Sequence, residues 1–366
     1  MRVPVVVPVV LVVVLAACGA SPTMQAGHDP VLKVGAIISQ TGVYAALGDD
    51  METAMRLYLD EHGGRLGGRP AALLVADDAG NPETGGQRAR QLIDHDGASV
   101  ITGLLSSPVA LTVVRQAGGV PVVIANAGAD GLGGPGVYRV SFTDHDQGFA
   151  AGKYAAEHYG TSGAVLMAPD YTAGTETLDG FEAGYGAKAL KRILTPFDRT
   201  KDFAPYLAQI PADAKFVYAF YAGGEAITFA RAFSAAKVPL LACQHLADED
   251  VTQAVGPDAD GMTSVGMYAP TLTNQDNTAF VALWRSRTGR NPSVVAVQGW
   301  DAMRMIDLAA DKGGDLARAL SQIHDIPSPR GPLHFDATHN PVQNWYVRQY
   351  QNGENRVLST ISPGSE

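Results

Sequence analysis

The chain has 366 residues, 46% of them hydrophobic and 17% charged, and its 37 Asp and Glu outweigh 27 Lys and Arg for a net charge of −10. This is the balance of a folded globular chain, not of a disordered one. With no run of Lys and Arg, it excludes a nucleic-acid partner, because binding phosphate backbones takes basic patches.

The first element is greasy. Arg2 and the amino terminus supply positive charge, and residues 3–15 are almost wholly aliphatic, broken by Pro4 and Pro8. A bilayer crossing needs ~20 apolar residues, so the run is too short to span. A charged start, an apolar middle and small residues before a cut are the marks of a secretory signal. Leu15, Ala16, Ala17 and Cys18 resemble the bacterial lipoprotein signal, in which the cysteine is acylated and becomes the new N-terminus. On that reading residues 1–17 are a signal peptide and residues 18–30 a lipidated tether outside the cytosol. An ordinary secreted chain with an incidental cysteine is the alternative. With Cys18 lipidated, Cys243 has no disulfide partner in the chain.

From residue 31 onward, strand-like and helix-like stretches alternate. LKVGAIIS reads as a buried strand, aliphatic and ended by turn residues. LGDDMETAMRLYLDEHGG reads as a helix, with Asp49 or Asp50 placed to cap it and Gly63 and Gly64 to stop it; Met51, Ala54, Met55, Tyr58 and Leu59 share one face. AALLVADD, ETGGQRARQLID, ASVITG, SPVALTVVRQAG and VPVVIAN continue the alternation. This βαβα order predicts a parallel sheet with helices on both faces.

The pattern restarts with VYRVSF as a strand, DQGFAAGKYAAEHYG as a helix, GAVLMAPD as a strand and GTETLDGFEAGYG as a helix. RILTPF, KFVYAFYA, VPLLAC and GMTSVGMY read as strands, and NTAFVALWRSRTG and SVVAVQGWDAMRMIDLAA as late helices. The chain exceeds the ~250–300 residues that one core covers. The predicted fold is therefore α/β: two doubly wound parallel-sheet lobes joined by a multi-crossing hinge, with a ligand cleft between them. The late helices return to the first lobe, so residues 31–142 and 270–331 form lobe one, and residues 143–269 and 332–366 lobe two.

The most informative loop is ITGLLSSPVALTV. Ser106 and Ser107 precede Pro108, and proline is favoured at a helix start, where a serine caps well. Free N–H groups, a partial positive charge and hydroxyls together hold a carboxylate or phosphate, at the strand ends where open α/β sheets bind ligands. A serine cap without a ligand is the plainer reading of this loop alone. GADGLGGPG spells G-x-G-x-x-G but leads into a strand, so it is a glycine-rich connection and not a nucleotide site. His334, Asp336 and His339 in LHFDATHN, and Asp144 and Asp146 in DHD, match no zinc or calcium spacing and read as surface polar loops. There is no GxSxG, HExxH or P-loop. The expectation is no catalytic residue, no metal and no cofactor.

In this order, these segments resemble the extracytoplasmic solute-binding proteins of ABC importers, of the leucine/isoleucine/valine-binding type. The resemblance is carried by KVGAIISQTGVYAALGDDMETAMRLYLDEHGGRLGGRPAALLVADDAGNPE, VITGLLSS, YRVSFTDHDQGFAAGKYA, GRNPSVVAVQGWDA and SPRGPLHFDATHNPVQNWYV. NAGAD, MAPDYTAG and YAGG lean toward a branch that includes binders of aromatic acids. The resemblance implies a clamshell whose first lobe holds the solute carboxylate through a hydroxyl and backbone N–H groups. Residue by residue, it makes Ser106 the hydroxyl donor with Ser107 beside it, and has Ala127 and Ala129 offer backbone groups; the threonine usual near Ala129 is missing. It puts Asp144 at an acidic crossing position and Gln244 where a glutamate binds the ligand ammonium. Leu47, Ala173 and Gly223 fall where tyrosines line an amino-acid pocket.

Those departures have physical consequences. A buried ammonium without a carboxylate is costly, so Gln244 weakens an amino-acid reading unless Asp144, Asp130 or Glu225 serves instead. Smaller side chains widen the pocket for a larger acid, with Tyr44, Tyr171 and Tyr221 as candidates to face a ring; core packing is the plainer reading of each tyrosine. The implied function is the substrate-binding component of an ABC importer. As a monomer it would capture a small carboxylate-bearing solute, either an amino acid such as a branched-chain one or an aromatic acid, and deliver it to a permease and its ATPase by lobe closure. The alternatives are a ligand-sensing receptor of the same fold and, further off, a secreted α/β hydrolase.

Overall fold

The computed structural model describes residues 30–363 together with Met1 and Pro4. Cys18 and the rest of the signal and tether reading lie outside the described residues. The first lobe runs β1 (Leu32–Ile38), α1 (Ala45–Glu61), β2 (Arg65–Leu66), β3 (Arg69–Asp77), α2 (Pro82–Arg90), β4 (Val100–Gly103), α3 (Ser107–Gln116), β5 (Val122–Ile124) and β6 (Val137–Arg139). Its sheet order is β2-β3-β1-β4-β5-β6. All pairs are parallel except the short β2 edge. Helices cover both faces, which is why β1 and β4 read as aliphatic runs and not as alternating strands.

The second lobe begins with α4 (Asp144–Tyr159), then β7 (Ala164–Pro169), α5 (Thr172–Tyr185), β8 (Lys191–Thr195), α6 (Ala204–Leu207), β9 (Phe216–Ala219), α7 (Gly223–Phe233), β10 (Leu240–Cys243), α8 (Glu249–Val255) and β11 (Thr263–Gly266). The chain then gives α9 (Gln275–Thr288) and α10 (Val294–Asp311). α10 lies on α1 of the first lobe, where the Tyr58 hydroxyl donates to Asp307 at 2.7 Å. After α11 (Leu316–Leu320) come a small sheet of β12 (Asp325–Ile326), β13 (Leu333–Phe335) and β14 (Pro341–Gln343), and a hairpin of β15 (Trp345–Gln351) and β16 (Glu354–Ile361).

That hairpin extends the second sheet to the order β16-β15-β11-β10-β9-β7-β8. β15 runs antiparallel to β11, so this sheet is parallel only from β8 to β11. The sequence reading assigned no strands there, because half of β16 faces solvent and is polar. α1 also differs from the sequence expectation: it starts at Ala45 with Tyr44 at the cap position and no side-chain cap bond, so neither Asp49 nor Asp50 caps it. Asp50 is instead buried in the second turn, where it pairs with Arg290 and accepts the Ser293 hydroxyl at 2.5 Å.

Two features set the geometry around the cleft, one within the second lobe and one at the crossing between the lobes. The first is the contact of α4 with α5. A Cβ on Gly148 would lie 2.0 Å from the Thr177 carbonyl oxygen, and one on Gly180 2.1 Å from that of His145. The helices therefore touch backbone to backbone, which fixes the spacing of their N-terminal ends.

The second is Arg330, at the crossing between the lobes and 3% exposed. Its Nε donates to Asp301 at 3.0 Å, and Nη1 donates to the Ser141 carbonyl at 3.1 Å and to Gln343 Oε1 at 2.8 Å. Nη2 donates to the Val140 carbonyl at 2.5 Å, and Nη1 touches Met267 Sδ at 3.6 Å. One guanidinium thus ties together the chain just after β6, just after β11 and at the end of β14. Arg330→Met leaves Asp301 buried without its counter-charge, which costs on the order of 3–5 kcal/mol. Urea unfolding of the variant measures this; a loss below about 1 kcal/mol would show that Arg330 is not the tie.

Candidate functional site

Each sheet has a switch point where successive strands diverge, β1/β4 in the first lobe and β7/β9 in the second. Loops leaving the carboxyl ends of these strands form the ligand crevice of such sheets. Here the two crevices face one another. Tyr44 and Leu47 follow β1, Ser107 follows β4, and Asn126 and Gly128 follow β5; opposite them stand Tyr171 and Ala173 after β7, Phe220 after β9 and His245 after β10. Phe142 and Asp144 complete the wall of this cavity at the crossing.

The lobes are shut over this cavity. His245 Nε2 lies 3.2 Å from Asn126 Oδ1, the Gly224 N–H donates to the Val43 carbonyl at 3.2 Å, and the Tyr44 and Tyr171 hydroxyls stand 3.5 Å apart. Phe197 stacks on Tyr171 at 4.2 Å.

The polar end is built on α3. Ser106 is its extended cap residue, and its side chain makes no cap bond. Ser107 Oγ accepts the Ala129 N–H at 3.1 Å, which leaves its own O–H free to donate. Helix N–H groups and the positive end of the dipole add to it. Among the described residues, no Lys or Arg lines the cavity. Arg139 sits behind the wall and spends its guanidinium on the carbonyls of Gly128, Ala129, Leu132 and Phe142, so the loop after β5 is held rigid.

Asp144 is 1% exposed, and its Oδ2 has no partner among the described residues. Its own N–H donates to the Gly128 carbonyl at 2.7 Å. A Cβ on Gly128 would come within 2.4 Å of Asp144 Oδ1, so only glycine lets the carboxyl in. Burial holds this carboxyl well above the usual range; Glu176 and Asp130 push the same way and Arg139 opposes them. A neutral carboxyl can donate as well as accept.

These features match a known group. The family model for periplasmic binding proteins covers residues 31–355. The chain belongs to that family. Leu/Ile/Val-binding protein homolog 6 of Brucella melitensis is 27% identical over 349 residues, spanning 89% of each chain. A solute-binding protein of an ABC transporter from R. palustris, in complex with benzoate, is 34% identical at a TM-score of 0.86, over 91% of this chain and 97% of that one. Another from Rhodopseudomonas palustris BisB5, in complex with 3,4-dihydroxybenzoic acid, is 27% identical at 0.84, over 91% and 98%. Such periplasmic binding proteins bind solutes and are not enzymes. Among the described residues, no helix is long and apolar enough to cross a membrane, and no cluster of acids, histidines or cysteines has the shape of a metal site.

In this periplasmic binding protein the cavity brings together Leu47, Ser107, Asp144, Tyr171 and Ala173 from the residues singled out in sequence, with Tyr44. Ser106, Ala127, Ala129, Gly223 and Gln244 do not line it; Ser107, Gly128, Ala222 and His245 take those places. Gln244 is turned into the second lobe, where Nε2 donates to Asp248 and Oε1 accepts the Tyr268 N–H. Tyr221 is core, stacked on Phe229 at 4.4 Å. Of the three acids considered for an ammonium, only Asp144 reaches the cavity. Glu225 lies outside it, its carboxyl pushed up to about 7 by burial and by Asp198. Asn126, Phe142, Phe220 and His245 went unrecognised. Asn126 left a signal all the same, as a lone polar residue just past an apolar strand end, whereas His245 stands behind the polar Gln244 and left none.

Asp144 makes stability depend on pH. Its folded pKa lies above the unfolded one, so the folded state holds the extra proton in between. The contribution is whole below about pH 4 and is lost as pH rises to the folded pKa. Asp144→Asn removes that slope. Melting curves from pH 3 to 8 should show the variant gaining on the wild type above about pH 4, at ~1.4 kcal/mol per pH unit until the folded pKa is passed; parallel curves would mean that Asp144 ionises normally.

Proposed function

We propose that this periplasmic binding protein captures a small aromatic carboxylic acid of the benzoate class between its lobes and delivers it to a membrane permease and ATPase. It works as a monomer, held outside the cytosol by acyl chains on Cys18. The two lobes are residues 31–142 with 270–331 and residues 143–269 with 332–366.

The observation that carries the ligand class is the pairing of an anion-accepting helix end with aromatic walls. Ser107 and the α3 N-terminus supply donors without a cation, while Tyr44, Tyr171, Phe142 and Phe220 supply ring surface. A carboxylate there gains charge-assisted hydrogen bonds, and a neutral Asp144 adds an O–H to the same anion instead of repelling it. The benzoate-bound relative at 34% identity supports this reading. The ligand stabilises the shut state because donors from one lobe and rings from the other meet only there.

A branched-chain amino acid is the second reading. It rests on the Brucella relative's name and on Asp144, which would then ionise and pair with the ammonium.

Calorimetric titration with benzoate and with leucine separates the two. Benzoate should bind, leucine should not, and Ser107→Ala should weaken benzoate about 10- to 100-fold, since a charge-assisted bond is worth ~1.5–3 kcal/mol. Asp144→Asn keeps an amide donor, so benzoate affinity should change little. Tight leucine binding that Asp144→Asn abolishes, with no response to any benzoate, would replace this proposal with the amino-acid one.

A further inference from the structure

Resting on the aromatic-acid reading of the cleft, we infer that its solute carries a hydroxyl group on the ring and that His245 is the residue that reads it. Asn126 Nδ2 donates to the Leu105 carbonyl at 2.9 Å. A carbonyl only accepts, so the amide nitrogen must face Leu105 and Oδ1 must face the second lobe. The atom it meets there, 3.2 Å away, is His245 Nε2. Two acceptors cannot bond to one another, so Nε2 carries the proton and donates it.

The other ring nitrogen then has a definite role. His245 is 5% exposed and lines the cavity, packed between the Phe142 and Phe220 rings at 5.4 and 6.4 Å. Burial, with the Arg348 charge adding to it, lowers its pKa to about 4, so at neutral pH the ring holds one proton only. That proton is committed to Asn126. Nδ1 is therefore a bare lone pair, and among the described residues no group reaches it.

A buried acceptor of this kind selects its ligand. An O–H donor satisfies it, whereas an unsubstituted ring leaves it unmatched, and sites built to bond a substrate hydroxyl reject the analogue that lacks one. Asn126 and His245 belong to opposite lobes, so the lone pair is presented in this orientation only when the lobes are shut. The hydroxyl is thus sensed at the moment of closure. His245 is a specificity-determining residue, distinct from Ser107 and Asp144, which meet the carboxylate.

The test is a titration panel of benzoate, the three monohydroxybenzoates and the three monofluorobenzoates, on the full-length wild type and on His245→Phe. Fluorine has nearly the size of a hydroxyl but no proton to donate. In the wild type one hydroxy isomer should bind at least about ten-fold tighter than benzoate and than its fluoro counterpart. The isomer that does so reports where Nδ1 lies against the ring.

In His245→Phe the lost bond to Asn126 weakens every solute by a common factor, so the ratio of hydroxybenzoate to benzoate isolates Nδ1; that ratio should fall to within about two-fold of unity. A hydroxy preference that survives in His245→Phe, or no preference in the wild type, overturns the inference while leaving the benzoate-class reading intact. If no aromatic acid binds and leucine does, the reading itself falls and takes the inference with it. Should His245→Phe not fold, the hydroxy-against-fluoro ratio in the wild type decides alone.

Discussion

The Arg330–Asp301 pair is the constraint on which this molecule depends. Asp301, fully buried on α10, and Arg330, buried at the crossing, meet at 2.9 Å where the chain passes between lobes. An ion pair in that environment gains stability only when its remaining polar atoms are also satisfied. Here carbonyls of the first crossing and a side chain of the last satisfy the guanidinium, and Ser328 donates to Asp301 Oδ2, while Asp301 Oδ1 has no partner among the described residues. The crossing segments are therefore held together at one point. The cavity walls belong to different lobes, so the register of every contact across the cleft is inherited from this point.

The cleft follows a consistent electrostatic plan in which full charges stay behind the wall and neutral donors line it. Arg139 is buried within a few residues of the cavity, yet it spends its guanidinium on backbone carbonyls. Asp144 is in the cavity, but burial favours its neutral form. His245 is in the cavity as well, and burial strips its charge. An anionic solute entering here meets hydroxyl and amide dipoles that need no counter-ion to be removed. Such a site can be shut and reopened without the desolvation cost of a buried salt bridge.

Ridge-to-groove packing of α4 on α5 is replaced by backbone contact through glycines. The consequence reaches the cleft. α4 begins at Asp144 and α5 just after Tyr171, so the distance between these helices sets the distance between an acid and a ring in the wall. The glycine at 128 works in the same way, making room for a carboxyl where any side chain would collide.

Much of this was legible in the sequence because it depends on local periodicity. Alternating aliphatic strands and amphipathic helices specify two α/β lobes, and Ser-Ser-Pro after a strand specifies a helix end with free donors. Other features depend on direction, which periodicity does not carry. In a loop leaving a strand, successive side chains point to opposite sides, so a shift of one residue separates the cavity from the core. That is why the sequence points to Gln244 as a wall residue while His245 is one; Asp50 differs because α1 starts a turn earlier than its first acidic residues suggest, which makes Asp50 a buried helical partner of Arg290 and not a cap. The polar β15–β16 hairpin joined its sheet through β11, a neighbour more than seventy residues away in the chain. Chain order alone determined the lobes and their facing strand ends; only the packed tertiary structure decided which atoms look into the space between them, because that choice is made by contacts between segments far apart in sequence.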